Sequence, residues 1–444
     1  MFPGLGVSAV DIMSADGRIA AVGLALPSDG CDILDVRGKY VLPGVVDPHV
    51  HLGVFGDFAE ELHTETRSAV RNGVTTIGVY FGGMDPYLGN LGRVVDQIRE
   101  LSHADVFLHL PIFTREQLKE IPLYAARYGI TSFKAYMCGL PGLIPSVDDA
   151  FLFDLMETVA SLGPGAVLCI HAENEELVNR AAQIGLSRTP SGLDAKDWAA
   201  ARPSYVEEEA LVRAEFLART THARVYFVHI SSAAGVAAVR RMKKSGSDIL
   251  AETTSPYLTL EPDEPSDART IMAPPLRGRE DRKALWEGLL DGTIDTVGTD
   301  HTPLTSAQKH LESKAPAVVP GYPAIGTHLP SLLDGARRNG MSLHVLAERI
   351  CRKPAEIFGV FPRKGTLLPG SDADMVVVEP LRDEVVTPRK AGSRSDFALH
   401  EGRHLIGWPS LVIKGGTPVE SDGDRVLCRG DYLSRQVDSL KRRE

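Results

Sequence analysis

The stretch VLPGVVDPHVHL, residues 41–52, reads as one buried strand that ends on two histidines, His49 and His51. Its apolar residues do not alternate with polar ones, the pattern of a parallel strand covered on both faces. Side chains alternate along a strand, so His49 and His51 share one face and can chelate a single metal ion. Seven further runs follow: VTTIGVYF (74–81), DVFLHLPIF (105–113), ITSFKAYM (130–137), AVLCIHAE (166–173), RVYFVHIS (224–231), ILAETT (249–254) and DTVGTDH (295–301). Between them lie helix-patterned stretches such as EELHTETRSAVRNG (60–73), LGRVVDQIRELSH (91–103), VDDAFLFDLMETVASLG (147–163) and YVEEEALVRAEFLARTTH (205–222). Strand–helix alternation repeated eight times suits a closed barrel or a large open sheet, and the ligand pattern described next favours the barrel. The expected fold is α/β, a (β/α)8 TIM-like barrel.

Strand patterning without helices returns at both chain ends. Near the N-terminus it covers SAVDIMS, an ADGR turn, IAAVG and CDILDVRG; beyond residue 360 it covers KGTLLPGSDADMVVVEP, WPSLVIKGGTPV and RVLCRGDYL. These ends are expected to form one small β-sandwich domain from residues 1–42 and 363–430, flanking a barrel over 43–362. A C-terminal tail, 431–444, follows, and its highly charged part at 435–444 is expected to fray.

Composition narrows the classes of function. The 444 residues are 43% hydrophobic and 24% charged, values that support a large core. A formal charge of −10 with no basic block disfavours nucleic acid as a partner. The five cysteines are scattered without a C-x-x-C pair, which suggests free thiols in a reducing compartment. No signal-peptide pattern opens the chain, and no apolar run approaches the ~18 residues of a membrane span. A cytoplasmic location without a membrane partner is the expectation.

Five of the eight runs carry a potential metal ligand at or near their C-terminal end: His49 and His51, then Lys134, His171, His229 and Asp300. In a parallel barrel those ends converge on one mouth, where such folds build their active sites. One histidine alone reads as an ordinary satisfied polar group; the shared strand end is what carries the signal. Lys134 needs its own argument, because an ammonium offers only donors and repels metal ions. Burial and metal charge favour the neutral amine, which can react with CO2 to give a carbamate able to bridge two metals. An ion pair of Lys134 with Asp300 or Glu173 is the alternative.

Several of these strings resemble cyclic amidohydrolases of the amidohydrolase superfamily: hydantoinase/dihydropyrimidinase, allantoinase and dihydroorotase. VLPGVVDPHVHL is similar to their opening strand, SFKAYM to their carboxylated-lysine strand, and IHAEN and VHISS to their later histidine strands. MAPPLRGREDRKALWEGLLDGTIDTVGTDHTP resembles the segment ending in the aspartate, and PAEIFGVFPRKGTLLPGSDADMVVVEP the return into the β-domain. The resemblance covers nearly the whole chain. It implies that His49, His51, N6-carboxylated Lys134 and Asp300 bind one divalent metal, and Lys134, His171 and His229 a second. Zinc suits such a site, with manganese, iron or cobalt as substitutes. It further implies hydrolysis of a hydantoin- or dihydropyrimidine-like cyclic amide by a metal-bridging hydroxide, with Asp300 as general base and then acid. A dimer or tetramer is implied as well.

Departures from the family pattern bear on the substrate. Dihydroorotases follow H-x-H with an arginine one residue further on, whereas Leu52 and Gly53 stand here, so dihydroorotate is not expected. Gly139 occupies the place of the hydantoinase tyrosine that stabilises a developing oxyanion. Tyr136 lies on the Lys134 face and is either barrel lining or a substitute donor. Pro320, in a segment resembling the hydantoinase substrate loop, lacks the N–H of the usual asparagine. Ala273 stands where serine is common and keeps its backbone for a substrate contact. His301 either orients Asp300 or touches substrate, and His63 falls on a solvated helix face. The loops at 53–65 and 82–92 are lid candidates or plain connections. Allantoinase, or another cyclic ureide or imide hydrolase, is the second reading; a non-catalytic scaffold is the third.

Overall fold

Asp16 and Gly17, at φ 50° and 76°, turn the chain between strands β1 (Asp11–Ala15) and β2 (Arg18–Gly23). The computed structural model describes residues 6–140, 142–261, 267–419, 421–422, 425–426 and 428–436. CDILDVRG, expected as a strand, is instead an exposed loop without pairing, with Ile33 and Leu34 facing solvent. The strand that follows it, β3 (Tyr40–Pro43), forms the edge of the small sheet.

The run at 41–52 is not one strand but two. Pro43 ends β3 in the small sheet, and β4 (Val45–His51) opens the barrel. Gly44 sits at the crossover with its N–H on Asp374 O, where any Cβ would collide with the Thr75 side chain. Strands β5 (Val74–Tyr80), β6 (Asp105–Pro111), β7 (Ser132–Tyr136), β8 (Val167–His171), β9 (Val225–Phe227), β10 (Ile249–Thr254) and β11 (Thr296–Gly298) follow in spatial order. Every neighbouring pair is parallel. A parallel bridge between Val50 and His301 joins the first strand to the end of the last, with His51 N–H on His301 O at 2.8 Å. Strands β5 to β8 are buried along their whole length, as their unbroken apolar runs require.

Helices at Phe58–Arg71, Leu91–Leu101, Arg115–Tyr128, Asp149–Ser161 and Ser204–Thr221 cover the outside, within a few residues of the sequence pattern. Their ends have local causes. Thr114 and Gln117 form a capping box, and Gly129 at φ 63° stops the same helix.

The second sheet is antiparallel, in the order β14-β13-β12-β3, from β12 (Met375–Val385), β13 (His404–Lys414) and β14 (Thr417–Pro418). Both chain ends thus contribute to the small β-sandwich domain beside the barrel. Among the described residues of RVLCRGDYL, only Arg425–Val426 form a strand, paired with Ser421–Asp422. A buried cluster joins sheet to barrel: the Lys364 and Lys414 ammonium groups both meet Asp105 and Asp374.

The start of the expected fraying tail is firmly held. Asp431 O accepts from Val106 N (2.8 Å) and Leu433 N donates to Val106 O (2.7 Å). Leu433 packs among Val46, Tyr80, Phe107 and Tyr226 at the barrel interior, and Arg435 is buried against Phe107. Charge count misled here, because Arg435 spends its donors on Ser132 Oγ and Leu108 O. Residues 437–444 lie outside the described residues. Among the described residues no helix is long and apolar enough to cross a membrane.

Candidate active site

His49 is wholly buried and its Nδ1 donates to Glu252 Oε1 at 2.7 Å. That bond fixes the tautomer and leaves Nε2 as a bare lone pair. Nε2 has no hydrogen-bond partner, yet it lies 3.2 Å from Asp300 Oδ1. His51 Nε2 approaches the same oxygen at 3.1 Å. The candidate ligand atoms of His49, His51 and Asp300 all fall within 4.8 Å of one another, the arrangement of a metal site.

A second pair faces the first. His171 Nε2 is 3.0 Å from Glu173 Oε2, and Glu173 is itself held by Arg202. With its proton on Nε2, His171 turns Nδ1 to His229 Nε2 at 2.9 Å. That contact is an imidazole–imidazole hydrogen bond, and it sets side by side two ring nitrogens of the type that ligates metal. The His49 and His229 rings stack at 5.7 Å, which ties the two groups into one cluster. Burial is the main reason why His49, His171 and His229 all have depressed pKa values, so the neutral, ligating form prevails.

Lys134 is 1% exposed and makes no ion pair among the described residues, with Asp300, Glu173 or any other carboxylate. Its Nζ sits over the rings of Tyr80 (4.7 Å) and Tyr136 (5.1 Å). Burial brings its pKa down to about 8, against the pull of Asp300 and Glu252. A lysine so placed carries roughly a tenth of its amine neutral at pH 7, far more than a free lysine does.

The last strands deliver their ligands from just beyond the sheet. Both His229 (φ 42°) and Asp300 (φ 56°) take the left-handed conformation, uncommon outside glycine and concentrated at functional sites. Asp47 supports the second: it accepts from Thr299 N (3.0 Å), Thr299 Oγ1 (2.6 Å) and His49 N (3.1 Å). Gly298 makes room, since a Cβ there would fall 2.9 Å from His49 Cβ.

All six expected ligands line one cleft, together with Tyr136, Ala273 and Pro320. His301 does not. Its ring faces Glu65 Oε2 (3.0 Å) and accepts from Ala324 N (3.1 Å), contacts that brace the loop next to Asp300, the first of its two expected roles. Sequence reasoning passed over Glu252, Asp47 and Tyr322, whose hydroxyl donates to Asp300 Oδ2 at 3.1 Å. The GTDH string announced the aspartate but held no sign of these distant partners. Of the lid candidates, 53–57 is tied down by Gly53 N on Glu61 (2.7 Å) and Gln308 Nε2 on Phe55 O (2.8 Å). The 82–92 loop is pinned by Gln117 to the carbonyls of Gly83 and Asp85. His63 is exposed on the helix Phe58–Arg71, as expected, with its ring tilted against that of His103 at 4.9 Å.

Residues 40–401 match the amidohydrolase family, and the chain belongs to that family. Its relatives include a D-hydantoinase of Streptomyces coelicolor, 31% identical over 95% of this chain and 92% of the relative. A dihydroorotase of Bacillus cereus is 30% identical over 92% of this chain and 94% of its own length. The crystal structure of dihydropyrimidinase from Brevibacillus agri NCHU1002 superposes with a TM-score of 0.89 at 27% identity, covering 98% of this chain and 97% of the other.

Proposed function

We propose that this chain is a metal-dependent hydrolase that opens a cyclic amide of the hydantoin or dihydropyrimidine type. The observation that carries the reading is the convergence of four histidines, a carboxylate and a buried lysine without an ion pair among the described residues on one cleft, with His49 Nε2 left without a hydrogen-bond partner. This donor set fits divalent metal. His49 Nε2 is a buried polar atom that lacks any hydrogen-bond partner, and the imidazole and carboxylate donors suit zinc and its neighbours. His49, His51, Lys134 and Asp300 would hold one ion, and Lys134, His171 and His229 a second, with Lys134 carrying a CO2-derived carbamate. Divalent metal bound there supplies a water molecule acidic enough to attack at neutral pH and polarises the amide carbonyl.

The chain's own groups do the remaining work. Asp300, with Oδ2 held by Tyr322, accepts the proton of the attacking water and returns it to the ring nitrogen as the C–N bond breaks. Burial would raise its pKa, but the neighbouring His49 and His51 bring it down to about 2, so the carboxyl stands ionised. Tyr136, whose hydroxyl has no partner among the described residues, lines the cleft as a hydrogen-bond donor for the substrate.

The wall selects among rings. Val54, Phe55, Leu140, Leu143, Ile144 and Val319 line the cleft, and Lys134 is its only cation. A carboxylate substituent, as on dihydroorotate, finds no arginine there. The ureido arm of allantoin needs several hydrogen-bond partners and meets the same aliphatic wall. Cytoplasmic residence belongs to this reading, supported by five free cysteines; so does a homo-oligomer, to be checked by sedimentation. The direct test is turnover of a panel of hydantoin, dihydrouracil, succinimide, allantoin and dihydroorotate. Ring opening of hydantoin or dihydrouracil is expected. Dihydroorotate as the best substrate, or no turnover by zinc-loaded protein, would overturn the reading.

A further inference from the structure

Lys309 ends the short helix Ser306–Lys309, is wholly buried, and makes no ion pair among the described residues. An ammonium in that position must satisfy its three protons with neutral acceptors. It does so on three backbone carbonyls: Ile271 O at 2.9 Å, Val319 O at 2.9 Å and Gly321 O at 2.7 Å. These acceptors belong to two separate segments, and both segments form the wall of the catalytic cleft. Val319 and Gly321 flank Pro320 and line it directly, while Ile271 leads into Ala273, which lines it from the other side.

The neighbouring carbonyls are also held. Trp198 Nε1 donates to Met272 O at 2.8 Å, and the Tyr257 hydroxyl to Pro274 O at 2.6 Å. Of the four carbonyls from Ile271 to Pro274, only that of Ala273 has no partner among the described residues. Three side chains therefore hold this strap from behind and leave the Ala273 peptide open at the cleft.

We propose that Lys309 is a positioning residue for substrate recognition, its ammonium setting the spacing between the 271–273 and 319–321 walls that grip the ring. The inference rests on the ring-opening reading and assigns it a specificity element outside the cleft. Because the walls bind ring and transition state alike, loss of the clamp weakens binding without removing the chemistry.

The test compares wild type with Lys309→Met, measuring bound metal, kcat and KM for hydantoin and dihydrouracil, and backbone hydrogen exchange. A KM at least tenfold higher is expected, with kcat within threefold, metal content unchanged and faster exchange confined to segments 269–276 and 317–323. Should Lys309→Met not accumulate folded, Lys309→Gln offers two donors in place of three, and a smaller rise in KM is expected. Unchanged KM and exchange, or parallel loss of metal and kcat, would overturn the proposal. If wild type opens neither ring, the ring-opening reading falls, and unchanged exchange in the variant still overturns the clamp separately.

Discussion

Glu252 lies 203 residues from His49 in sequence, yet it fixes the tautomer on which the candidate metal site depends. Glu252→Gln should lower metal affinity by roughly 10–100-fold, the usual cost of losing such an orienting partner, as titration with zinc would show. Tyr322 contributes at the opposite side of the cluster. Tyr322→Phe frees Asp300 Oδ2 and should lower kcat by about fivefold, in line with ~1 kcal/mol for one hydrogen bond, while metal content holds. Asp300→Ala should reduce kcat by on the order of 10²–10⁴ with little change in melting temperature, since it removes the proton carrier and leaves the core intact. At this scale the candidate ligands, which meet in one cleft, were legible and their supports were not. H-x-H and the later strand-end histidines are local signals, whereas Glu252, Asp47 and Tyr322 act across the barrel through contacts that no local spacing records. The two readings of His301 could not be separated for the same reason, because Glu65, 236 residues away, holds its ring.

The strands and helices of the barrel were readable because each is long, apolar in a regular pattern and capped by local residues such as Thr114 and Gly129. The small domain was harder, since its strands pair only with distant segments. CDILDVRG has strand-like composition but pairs with no strand among the described residues, and the 41–52 run hides a change of sheet at Gly44. What holds sheet to barrel is the buried cluster of Lys364, Lys414, Asp105 and Asp374. Burial would raise the Asp105 carboxyl, but the two ammonium groups overcome it and bring it from 3.8 down to about 2. A carboxylate with a depressed folded-state pKa stabilises the fold above its unfolded value and loses that contribution as pH falls through the folded one. Stability should therefore decline between about pH 4 and pH 2, as denaturant melts across that range would show. Lys364→Met should cost about 3–5 kcal/mol at pH 7, because it strands buried carboxylates.

Over the whole molecule, the β-domain and the tail at 431–436 do not enter the cleft. The tail pairs with strand β6 through Asp431 and Leu433 on Val106 and Arg435 on Leu108 O, and Leu433 packs into the barrel interior. Truncation after residue 430 should lower the melting temperature more than it changes kcat at a permissive temperature. Heat denaturation followed by assay of the surviving protein separates these effects.

The central claim is that two divalent ions sit in the cleft with carboxylated Lys134 between them. Elemental analysis of the chain, reconstituted with zinc and bicarbonate, tests it most directly when Lys134→Ala is treated in parallel. About two metals per chain in the wild type, falling in the variant together with ring-opening activity, is the predicted result. A wild type that holds no metal, or a Lys134→Ala variant that keeps both ions and full activity, would contradict it.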